Sequence, residues 1–187
     1  MNVRHLHVHA AVGTDKVAWA IREVGIDNAV RDYCFVAPAP IVLNYGGRQY
    51  PAVRHDQSMA DVLVLLAALK MAESVREEAD GSRTEGVSTC IHCGSDYVLQ
   101  NYYSTPKERP VEDRPVWYVL DQHKSDRILR WRAAVLTIEQ ELDTLCQKAL
   151  AGAVEVIAEP PEPARKEGRS GRRAALPPGL AAVANTD

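Results

Sequence analysis

Two groups of residues carry ligand chemistry by their type and spacing. Cys90 and Cys93 are two residues apart and are followed by Gly94. At that spacing a tight turn lets two thiolates converge on one tetrahedral ion, and the glycine accommodates the turn. Such a site needs two more ligands. His123 is the first choice, and Asp121 just before it can supply an oxygen. The cofactor expected from this group is structural zinc, which contributes folding energy and performs no reaction. The second group is His5, His7 and His9, alternating with Leu6 and Val8. On a strand these imidazoles share one face at a spacing of about 7 Å, so two of them can chelate one metal.

The Cys90–Gly94 run resembles half of a zinc ribbon or treble-clef knuckle, without a second CxxC elsewhere in the chain. The histidine run, read as His5-Leu6-His7 or His7-Val8-His9, resembles the metal-binding strand of HUH nucleases. Those enzymes nick single-stranded DNA through a tyrosine nucleophile. The resemblance implies a catalytic set of His5, His7 and His9 with Tyr102 or Tyr103, near Lys107. The plainer alternative is an edge strand with its histidines turned to solvent. Val17 to Asp27 reads like the first helix and turn of a helix-turn-helix, with Gly25 making the turn and Asp27 capping the next helix. No acid–base dyad and no phosphate-cradling glycine motif stands out.

The elements that must position these residues follow from periodicity. Strict alternation over residues 3–9 predicts a strand, and the spacing of Val17, Ala20, Ile21 and Val24 predicts a helix. Gly46-Gly47, between two β-rich runs, predicts a hairpin. Asp56 or Ser58 can cap a helix built on the apolar run Val62 to Leu69. Strands are expected at Asp96–Tyr103 and Val116–Leu120. Ile128, Trp131, Val135, Ile138, Leu142 and Leu145 fall at alternating spacings of three and four. They predict a heptad seam on a helix from Ser125 to Ala158, a surface for a second copy or a helical partner.

Composition bounds the rest. The chain has 187 residues, 46% hydrophobic and 25% charged, enough for a packed core. Its net charge of −3 offers no basic surplus for nucleic acid, although Arg165–Arg173 forms a local basic cluster. No apolar run approaches the roughly 20 residues that cross a bilayer. The first residues lack the apolar stretch of a signal peptide, so a cytoplasmic location is expected. Arginine outnumbers lysine 16 to 6, as GC-rich actinobacterial or phage genomes encode.

The sequence therefore predicts an α+β protein. Residues 1–80 form a small β-α-β-β-α unit. Residues 87–158 form a CxxC knuckle with a short antiparallel sheet and a long C-terminal helix, and residues 159–187 a disordered tail. The function expected is that of a non-enzymatic, self-associating, zinc-stabilised interaction protein, with nucleic acid a further partner. The alternatives are the HUH-like single-strand nuclease and a metal-free assembly component.

Overall fold

The structure, a computed structural model, describes residues 3–52, 54–73, 88–124, 128–132 and 135–153. The chain opens with three antiparallel strands, β1 (Val3–Val12), β2 (Lys16–Val24) and β3 (Val30–Pro38). A separate hairpin, β4 (Val42–Tyr45) and β5 (Arg48–Pro51), precedes helix α1 (Gln57–Glu73). Strand β6 (Ser88–His92) then pairs parallel to β1. Helices α2 (Asp96–Tyr102) and α3 (Arg114–Gln122) lead to β7 (Ile128–Arg132), parallel to β6, and then to α4 (Leu136–Leu150). The sheet order is β3-β2-β1-β6-β7, so β1 is central. The units expected at 1–80 and 87–158 thus contribute strands to one sheet.

Both faces of that sheet are covered. Leu6, Val8, Ala10, Ile21 and Ile91 share a core with α1 on one face. Ala11, Ala18, Ala20 and Cys34 pack under Leu142, Cys146 and Ala149 of α4 on the other. Helix α1 is apolar almost all round, with Val62, Leu65, Leu66 and Leu69 at most 2% exposed. A helix with no polar stripe must be enclosed, and the sheet, α2 and α3 enclose it. Its start is fixed by Asp56, whose Oδ1 accepts from Met59 N at 2.9 Å.

Several expected elements are corrected here. Val17–Val24 is a strand, so the helix-turn-helix does not form, and Asp27 closes a turn by accepting from Ala29 N. Burial on both faces (Val17, Ala18, Ala20 and Ile21) had erased the alternation that marks a half-buried strand. Asp96–Tyr102 is a helix because Ser95 caps it, its side chain accepting from Val98 N. Val116–Leu120 lies within α3, started by Pro115 in its first turn. In both segments tertiary packing outweighs the β propensity of Val, Tyr and Trp.

The long helix is replaced by β7 and the shorter α4. Ile128 and Trp131 fall in the strand, and Val135 stands at the cap of α4. Gly152, at φ 73°, ends α4, with Ala153 N donating to Lys148 O. Ile138, Leu142 and Leu145 pack on the chain's own sheet, so no coiled-coil seam is left on this helix. The hairpin at Gly46-Gly47 forms as expected, both glycines having positive φ. The basic cluster at 165–173 and the tail lie outside the described residues.

Candidate active site

Two helices bring acidic side chains to His9 near the C-terminal end of β1. His9 projects from β1 on the face that carries α4. Its Nε2 lies 3.2 Å from Asp143 Oδ1 and its Nδ1 3.8 Å from Glu139 Oε1. Glu139 and Asp143 are one turn apart on α4 and so present their carboxylates to the same side. Asp61 comes from the second turn of α1. It accepts from Gln57 Nε2 at 2.8 Å, and the same nitrogen donates to Ala10 O at 2.7 Å. Burial raises the Asp61 pKa. Hydrogen bonds from Ser95 and Gln57 and the nearby His9 oppose the rise, while Glu139 adds to it.

These groups line a cavity of about 360 Å³, with Cys93 and Ser95 closing it from the β6–α2 turn. Burial pushes the Cys93 thiol up to about 11, and Asp61 and Glu139 reinforce the shift. Anionic oxygens facing a common space repel one another unless a cation stands between them. A divalent ion that prefers oxygen and tolerates imidazole, such as Mn²⁺, fits this donor set. Asp61, Glu139, Asp143 and His9 are the donors lining this space, and their ligand atoms are spread more widely than those of His5, Cys90 and His92.

A second polar group occupies the same sheet face nearer the start of β1. The β1–β6 register sets His5 beside Cys90 and His7 beside His92. His5 Nδ1 lies 3.0 Å from His92 Nε2, and the His7 and His92 rings stack at 4.1 Å. Burial lowers the His7 pKa to about 4, with His92, His5 and Arg22 adding to the shift.

The expected knuckle is not built. Cys90 lies in extended β6, and Cys93 belongs to the core on the opposite side of the sheet, so their thiols diverge. His123 caps the C-terminus of α3 edge-on to Tyr45, and Asp121 is paired with Arg109 and Lys124. Neither lines the cavity. The HUH-like arrangement is not assembled either. Tyr102 is buried with its pKa pushed up to about 12, and Tyr103 is 76% exposed; the edge-strand alternative fails as well, because β1 is central in the sheet. The acidic cavity was missed because its members come from distant segments. The one signal in the sequence was Asp61, a charge at the head of an apolar run.

No protein-family model matches the chain, and no curated protein matches it. Solved structures do. RNase H1 from the halophilic archaeon Halobacterium salinarum superposes with a TM-score of 0.50 at 16% identity, over 81% of this chain and 99% of that one. The N-terminal RNase H domain of rv2228c from Mycobacterium tuberculosis gives 0.51 at 10% identity, over 82% and 96%. LC11-RNase H1, isolated from compost, gives 0.51 at 10% identity, over 83% and 100%. The chain has a ribonuclease H-like fold. With that fold in place of a knuckle and a heptad helix, the non-enzymatic, zinc-stabilised interaction protein expected from the sequence loses its structural basis.

Proposed function

We propose that this protein is a divalent-metal-dependent nuclease acting on RNA, with the cavity around His9, Asp61, Glu139 and Asp143 as its reacting centre. The observation that carries the reading is the convergence of these side chains from β1, α1 and α4 on one open space. The similar solved structures are ribonucleases, which supplies the substrate class. A bound cation would polarise the scissile phosphate and lower the pKa of an attacking water. The chain's own groups have three tasks. Asp61, Glu139 and Asp143 supply the negative charge that retains the ion, Gln57 orients Asp61 from the backbone of β1, and His9 sets the position of Asp143. Without a cation the cavity repels phosphate, so the reaction should depend strictly on added metal.

The test is cleavage of labelled single-stranded RNA, RNA/DNA hybrid and duplex DNA by the purified protein in Mn²⁺, Mg²⁺ or excess chelator. Cleavage of an RNA-containing substrate with Mn²⁺, abolished by chelator, is expected. Inertness toward every substrate in both metals would overturn the proposal.

A further inference from the structure

We infer that His5, Cys90 and His92 form a binding site for one divalent transition ion that accepts imidazole and thiolate, distinct from the acidic cavity. The ligand atoms of these residues all lie within 4.8 Å of one another. Around a four-coordinate ion with bonds of about 2.0–2.3 Å, ligand atoms stand roughly 3.3–3.8 Å apart. The 3.0 Å between His5 Nδ1 and His92 Nε2 and the 4.8 Å outer limit bracket that range. Small side-chain rotations are therefore enough to seat the ion. The two ring nitrogens are within hydrogen-bond distance of each other.

The placement is enforced by the backbone. Parallel pairing in register fixes His5 beside Cys90, and the alternation of β6 returns His92 to the same face. His7 stacks on His92 and limits the rotation of that ring. Cys90 is 2% exposed and His92 7%, whereas His5 is only partly buried and leaves a route of entry. None of the three lines the acidic cavity.

Donor chemistry separates the two centres. The cavity offers carboxylate oxygens and suits a hard ion, whereas the cluster offers nitrogen and sulfur and suits zinc, cobalt or a softer metal. Nothing in the cluster depends on the nuclease reading, and its test does not read activity.

Co²⁺ serves as the probe, titrated into the reduced, chelator-stripped full-length protein and followed by absorption. Thiolate-to-cobalt charge transfer in the near ultraviolet, saturating at one equivalent and displaced by Zn²⁺, is the expected result. Cys90→Ser should abolish the band, His5→Gln should weaken binding about tenfold or more, and Asp143→Asn should leave it unchanged. Cys90 is buried, so if Cys90→Ser fails to fold, the partly exposed His5→Gln decides. Absence of the band in the wild type overturns the inference. So does a band that His5→Gln leaves at full affinity, since the ion would then be held without His5.

Discussion

Glu23 belongs to a buried polar group with Arg4 and Tyr33, and its removal measures what that group is worth. It is fully buried, lies 3.4 Å from Arg4 Nη1, and accepts from the Tyr33 hydroxyl at 3.0 Å, while Arg4 also donates to Met71 O. Glu23→Ala removes a buried carboxylate used by both Arg4 and Tyr33 and should cost about 3–5 kcal/mol. Denaturant unfolding measures this, and a loss below 1 kcal/mol would show that water reaches Arg4. Cys93 is a different case. Its folded pKa of about 11 stands above the ordinary thiol value of 9.0. Between those values the unfolded chain loses its proton and the folded one keeps it. Its contribution to stability is therefore complete below pH 9 and is lost as pH rises toward 11. Cys93 should resist iodoacetamide in the folded protein at pH 8, where only thiolate reacts. Mass spectrometry showing modification there at the rate of a free thiol would contradict that environment.

Helix α4 is the element whose role changed most between sequence and structure. Its apolar side chains recur at heptad spacing, but Leu142 and Cys146 are covered by Ala11, Ala18, Ala20 and Cys34 of the chain's own sheet. Small residues on the sheet let the helix approach, and Arg22, paired bidentately with Asp32, also reaches Glu141. Ile138→Glu combined with Leu142→Glu should therefore abolish the cooperative thermal transition. A buried unpaired charge costs several kcal/mol, comparable to the whole stability of a domain. A double variant that melts as the wild type does would place α4 elsewhere. The elements legible in the sequence were those with local causes: the alternation of β1, the Gly46-Gly47 turn, and α1 with its Asp56 cap. Strand β2 and helices α2 and α3 were not, because burial on two faces hid one period and tertiary packing overrode β propensity in the others. A three-four spacing is equally the signature of a helix lying on its own sheet, and the packing of Ile138, Leu142 and Leu145 on that sheet settles which one this is.

At the scale of the whole molecule, one central strand organises the chemistry. β1 pairs antiparallel with β2 and parallel with β6, so its C-terminal end meets the start of α1, the β6–α2 turn and α4 together. Residues far apart in the sequence (His9, Asp61, Glu139 and Asp143) become neighbours only there. That is why local motifs pointed to Cys90-x-x-Cys93 and to the histidine run, while the acidic cavity stayed hidden. The overall charge of −3 does not oppose a nucleic-acid substrate once a cation occupies the cavity, because the phosphate then meets a local positive charge. The most direct measurement is Mn²⁺-dependent cleavage of an RNA-containing substrate by Asp61→Asn and Asp143→Asn, each checked for a wild-type melting temperature. Loss of a metal-holding carboxylate should lower the rate about 100-fold or more while the fold persists. Folded variants that cleave at the wild-type rate would contradict the assignment of the cavity as the reacting centre.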